Sequence, residues 1–146
     1  MMGPLFKEAQ KASHILYIAD NAGEIGFDSL LMACLTEMGS KINLIVKEGP
    51  FFEDAAMEDA LFFHIDQWVD HIFTLNGFFV PKEIPPALMD LYKKSDLIIS
   101  KGTGNYEALK GEVGEKKAIY MLKVKCRPIA KEIGVGIGSF VVKLEK

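Results

Sequence analysis

The chain has little of what usually announces a protein's surroundings. It contains two cysteines, Cys34 and Cys126. They lie far apart and match no metal-ligand spacing, so they are expected to be reduced core thiols rather than a disulfide. No apolar run approaches the ~20 residues that span a bilayer. The opening, Met1-Met2-Gly3-Pro4-Leu5-Phe6-Lys7-Glu8, has no basic segment followed by an apolar one and does not read as a signal peptide. Nor is basic charge in excess, since 17 Lys and Arg stand against 20 Asp and Glu, a net charge of −3. Such a chain exerts no diffuse pull on nucleic acid or anionic membrane, and neither is expected as a partner. Any anion it binds must therefore meet a local cluster of donors. There is no linker, internal repeat or low-complexity stretch. What remains is a soluble, cytoplasmic chain, with residues 1–146 forming one domain. Its 49% hydrophobic and 25% charged residues suit a globular core.

Short apolar runs rich in β-branched residues recur along the chain. They are His14 to Ala19, Ile42 to Val46, His71 to Leu75, Leu97 to Ser100, Ala118 to Leu122 and Ser139 to Leu144. Runs apolar on both sides imply burial on both faces, the habit of parallel strands. Between the first two runs, Phe27, Leu30, Leu31, Cys34, Leu35 and Met38 recur at helical steps, forming an apolar stripe that Gly39 can end. Weaker helical patterns occupy about Asp54 to Phe63, Pro86 to Lys93, Tyr106 to Leu109 and Ile129 to Ile133. The alternation predicts an α/β fold: a three-layer α/β/α, doubly wound, mostly parallel sheet of Rossmann-like type.

Ligands in such sheets sit beyond the carboxyl ends of the strands, so the residues that follow each strand matter most. The first strand is followed by Asp20-Asn21-Ala22-Gly23-Glu24, with Asp28 one further helical step on. Asp and Asn offer hard oxygen donors suited to Mg²⁺ or Mn²⁺. A capping box from Asn21 to Glu24 would explain the same residues without chemistry. After the second strand, Asp54 is the best further carboxylate, with Glu58 and Asp59 as alternatives that a helix N-terminus favours anyway. After the fourth comes Lys101-Gly102-Thr103-Gly104-Asn105-Tyr106-Glu107. Its glycines free the backbone to wrap an oxyanion, Lys101 supplies a point charge and Asn105 can cap the next helix. It is neither a P-loop nor a dinucleotide fingerprint, because the order and spacing of Gly and Lys are wrong for both. After the fifth strand, alternation sets Lys123 and Lys125 on one side. His14, His64 and His71 are scattered and form no zinc motif.

Three of these segments together resemble the damage-control phosphatase family: Asp20-Asn21-Ala22-Gly23-Glu24 with Phe27-Asp28; Lys101-Gly102-x-Gly-Asn105-Tyr106-Glu107-x-Leu109; and Leu122-Lys123-Val124-Lys125-Cys126-x-Pro128-x-Ala130. The likeness runs in order from about Ile15 to Val142. It implies a metal-dependent phosphatase acting on small phosphorylated metabolites such as sugar phosphates or phosphopantetheine-like compounds. By the same likeness Asp20, Asn21 and Asp54 bind the metal, Mn²⁺ or Mg²⁺, with Ni²⁺ or Co²⁺ also compatible. Lys101 and Asn105 face the substrate phosphate together with Lys125, and Gly102 and Gly104 bring backbone amides close. Glu24 and Asp28 would either stand behind the ligands as supporting groups or act as the acid/base groups, one of which orients water.

Two features depart from the family. Its members carry a helical N-terminal region over the active site, whereas here the first strand begins near residue 14. Around Asp54 the family reads Asn-Asp-Ala-Thr, and this chain reads Glu53-Asp54-Ala55-Ala56. The rival reading is a non-catalytic metal- or metabolite-binding module. Carboxyl methyl transfer ranks below both, since no glycine-rich loop suited to S-adenosylmethionine follows the first strand. A homo-oligomer is compatible with everything above.

Overall fold

The structure is a computed structural model and describes residues 3–20, 25–48 and 56–145. Six strands form one sheet: β1 (His14–Ile18), β2 (Lys41–Lys47), β3 (His71–Leu75), β4 (Leu97–Lys101), β5 (Lys117–Lys123) and β6 (Phe140–Glu145). Their order is β3-β2-β1-β4-β5-β6. The first five pair in parallel and β6 runs antiparallel along β5. The chain winds outward from β1 in one direction through β3, then returns to place β4 on β1's other side. The sheet's switch point therefore lies between β1 and β4, where open α/β sheets bind ligands.

Alternation along β1 assembles two cores. Ile15, Tyr17 and Ala19 point to one face, and Leu16 and Ile18 to the other. The first face is covered by α1 (Gly3–Lys11), α2 (Ile25–Glu37) and α3 (Met57–Phe62), through residues such as Leu5, Met32 and Ala60. The second is covered by α4 (Pro86–Lys94), α5 (Thr103–Leu109) and α6 (Arg127–Ile133), through Leu88, Leu109 and Ile129. This is the expected α/β/α sandwich.

Local signals place most helix ends. Pro86 opens α4, where its missing N–H costs nothing. Past α2, Gly39 adopts φ +97° and its N–H donates to the Thr36 carbonyl. Gly134 ends α6 at φ +86°.

Three expectations need correction. The α2 stripe is rotated: Ile25, Asp28, Met32 and Leu35 face the core, while Leu30 is 66% exposed. Cys34 and Cys126 are exposed rather than core thiols. The first helix was not foreseen, yet it fully buries Leu5 and Ala9, and Glu8 receives Lys117 Nζ at 3.0 Å. No helix among the described residues is long and apolar enough to cross a membrane.

Candidate active site

Parallel pairing between β1 and β4 sets Ile18 opposite Ser100. The two strands therefore end together, with Asp20 just beyond one and Lys101 and Gly102 at the end of the other. Gly102 has φ +88°, a conformation that side chains resist. A Cβ there would overlap the Asp20 carboxylate, so the absence of a side chain is what lets Asp20 lie against the β4 turn. The Gly102 N–H donates to the Met121 carbonyl at 2.9 Å. It stitches the turn to β5 and is not free for an oxyanion.

Lys101 is the best-anchored cation of the site. Its Nζ lies 2.9 Å from Asp28 Oδ1. The same oxygen accepts the Tyr17 hydroxyl proton at 2.6 Å. Asp28 is 2% exposed and Tyr17 wholly buried. Removing a carboxylate from water is expensive unless it is paired and hydrogen-bonded, and here one ammonium and one phenol share that task. The Asp28 Oδ2 atom is buried without a hydrogen-bond partner among the described residues. Asp28 does not line the cavity described below. It braces Lys101 from behind, the supporting one of the two roles the resemblance allows.

Asn105 is likewise a brace. It is 2% exposed, and its Nδ2 donates to the Ala19 carbonyl at 3.2 Å and the Lys101 carbonyl at 2.9 Å. Both partners are acceptors, which fixes the orientation of the amide. The side chain therefore clamps the end of β1 to the end of β4 from within, instead of facing a phosphate. Gly104 is also reassigned, because the Phe78 ring occupies the space a Cβ would need. The same ring carries Lys47 Nζ at 4.4 Å from its centroid, and that ammonium donates to the Gly77 carbonyl at 2.6 Å.

On the other side of the switch point the site opens. A cavity of about 560 Å³ is lined by Asp20, Lys101, Gly102 and Thr103 at one end and by Lys123, Lys125 and the β5–β6 ladder at the other. The structure thus gathers Asp20, Lys101, Gly102 and Lys125 and leaves Asp28, Gly104 and Asn105 behind them. Asn21, Glu24 and Asp54 lie outside the described residues. Among the described residues no three His, Cys, Asp or Glu side chains gather as a metal cluster.

Comparison with known proteins identifies the family. A family model described as the damage-control phosphatase ARMT1-like domain matches residues 3–141. The chain belongs to that family. It is 37% identical over 134 residues to a damage-control phosphatase of Archaeoglobus fulgidus, covering 89% of this chain and 46% of that protein. A damage-control phosphatase of Pyrococcus horikoshii is 35% identical over 145 residues, covering 97% and 50%. The crystal structure of a DUF89 family protein from P. horikoshii superposes with a TM-score of 0.85 at 34% identity, covering 98% of this chain and 51% of that one. The chain spans about half the length of the curated relatives it matches.

Within the family domain, four participants were not expected from the sequence. Tyr17 sits in an apolar strand, and its one signal was a phenol that must find a partner when buried. Met121 and Val142 are paired across β5 and β6, and Phe140 is paired with Lys123. Such pairings become visible only once strand order is known.

Proposed function

We propose that this domain is a metal-dependent phosphatase acting on small phosphorylated metabolites of the sugar-phosphate or phosphopantetheine-like kind. The observation that carries the reading is the meeting of Asp20 and the braced Lys101 at the β1/β4 switch point, on the floor of a cavity sized for a small molecule. Family membership supports the same reaction class.

An oxygen donor such as Asp20, held at a strand end against a bare glycine backbone, fits a hard divalent cation, and we assign Asn21 and Asp54 to the same ion. Bound there, Mn²⁺ or Mg²⁺ would supply charge neutralisation and an acidified water. The chain's own groups do the rest. Lys101 holds a non-bridging phosphate oxygen, and its position is fixed by Asp28 and Tyr17 rather than by solvent. Lys125 adds a second cation. Glu24 is the group we assign to orient the attacking water.

Phosphate release from a generic monoester should require added divalent metal and disappear in Asp20→Ala. Undiminished turnover in that variant would remove the site. A second reading, a binding module without turnover, draws on the chain's spanning only about half of its relatives' length. It predicts Mn²⁺ binding by calorimetry with no phosphate released.

A further inference from the structure

The cavity is far larger than a phosphoryl group, and its second end has its own chemistry. Register places Lys123 opposite Phe140 on β6, and Met121 opposite Val142 two pairs further in. Past the end of β5 the pairing continues: the Val124 N–H donates to the Ser139 carbonyl at 2.9 Å and the Gly138 N–H to the Val124 carbonyl at 2.7 Å. Val124 is wholly buried. Lys123 is thus fixed on the cavity side by the backbone.

Its head is also held. Lys123 Nζ stands 5.4 Å from the centroid of the Phe140 ring, close enough for a cation–π contact. Phe140 is 67% exposed, a large ring left at the rim of a cavity. Asp20, at the far end, is the cavity's one described carboxylate. No carboxylate among the described residues forms an ion pair with Lys123. An ammonium poised over an aromatic face, with Met121 and Val142 as an apolar floor beside it, is a receptor for an anion carried on a short carbon frame.

We propose that Lys123 and Phe140 form a second subsite, which binds a carboxylate or further phosphate at the end of the substrate remote from the phosphoryl group to be cleaved. The subsite rests on the phosphatase reading, and it narrows the substrate class to phosphate esters bearing a second anionic group. Lys101 and Lys123 then read the two ends of one molecule, with the floor between them setting its length.

The test separates the two claims. Phosphate release is compared for 3-phosphoglycerate and glycerol 3-phosphate with Mn²⁺ present. Binding is compared by calorimetry for 3-phosphonopropionate and propylphosphonate, which cannot be hydrolysed. The unmodified chain should favour the carboxylate-bearing member of each pair. Lys123→Met should reduce that preference about tenfold, the worth of one charge-assisted hydrogen bond, and leave the singly substituted member unchanged. Phe140→Ala should reduce it by a smaller factor. Equal preference in the unmodified chain and Lys123→Met, in both assays, would overturn the subsite. If no ester is hydrolysed while the phosphonate preference still depends on Lys123, the phosphatase reading fails and the subsite stands.

Discussion

Two clusters, one on each face of the sheet, pair a buried tyrosine with a carboxylate, and they are built for different ends. On the α2 face, Tyr17 and Lys101 share Asp28, which is 2% exposed, and the ammonium is delivered to a cavity. On the other face, Tyr120 donates to Glu145 Oε1 at 2.6 Å and Tyr106 to Glu132 Oε2 at 3.2 Å, with Lys110 bridging Glu132 at 2.8 Å in the open. Glu145 also accepts the Gly111 N–H at 3.1 Å, which clasps β6 to the loop after α5. The first cluster spends burial to fix one charge. The second ties an edge strand down with groups that water can replace. Equal chemistry thus gives positioning where the carboxylate is buried and fastening where it is wet.

Removing the shared carboxylate should produce the largest contrast. Asp28→Ala leaves a buried ammonium and phenol without their partner, and should cost about 3–5 kcal/mol in denaturant unfolding, together with most phosphate release. Lys110→Ala, in the exposed pair, should cost no more than about 1 kcal/mol. Equal losses would dissolve the distinction between the clusters. Gly102→Ala comes next: it combines strain at φ +88° with overlap of Asp20, and should cost about 1–3 kcal/mol. Its phosphate release should fall much further than its stability.

Tyr120→Phe should cost about 1 kcal/mol near neutrality and leave phosphate release intact. Its larger signature is in alkali. Burial, then the bond to Glu145, pushes the Tyr120 hydroxyl upward. Burial and Glu132 push Tyr106 up to about 12. The folded state keeps these protons while the unfolded chain releases them near pH 10, the ordinary tyrosine value. Stability from both phenols is therefore complete below about pH 10 and is lost as pH rises through the folded values. The Phe variant should show a shallower alkaline fall, and an unchanged slope would contradict the assigned bond. The smallest effect is expected from thiol labelling. Both Cys34 and Cys126 should react in the native protein with no change in unfolding midpoint, because both are exposed.

Most of the architecture was legible because strand burial is a local, alternating or continuous pattern. The runs at Ile42 and Leu97 read as buried strands, and Gly39 marked the end of α2. Register and rotation were less legible. In α2 apolar residues surround the helix, so periodicity selects no face. The expected stripe placed Leu35 correctly but included Leu30 and Cys34, which are exposed, and left out Met32, which is buried. For the site, residue type pointed to Asp20 and Lys101 because oxygen donors and a lysine beyond strand ends have few other uses. Sequence did not distinguish residues that face the cavity from those that stand behind it. Asn105 and Asp28 carry the right chemistry, but tertiary packing turns both inward, where they hold the backbone and a neighbour.

Consider finally how the seat of Asp20 comes into being during synthesis. Its neighbour Gly102 follows β4, a strand reached only after three crossovers, so the flank of β1 that β4 pairs with stays open until then. An open strand edge is an invitation to wrong pairing, and the arrival of β4 closes that edge and sets the carboxylate against the glycine in a single step. The pairing that protects the nascent sheet from its neighbours is also the one that seats Asp20 against Gly102, so a molecule with that seat formed is one whose most exposed seam has already been sealed.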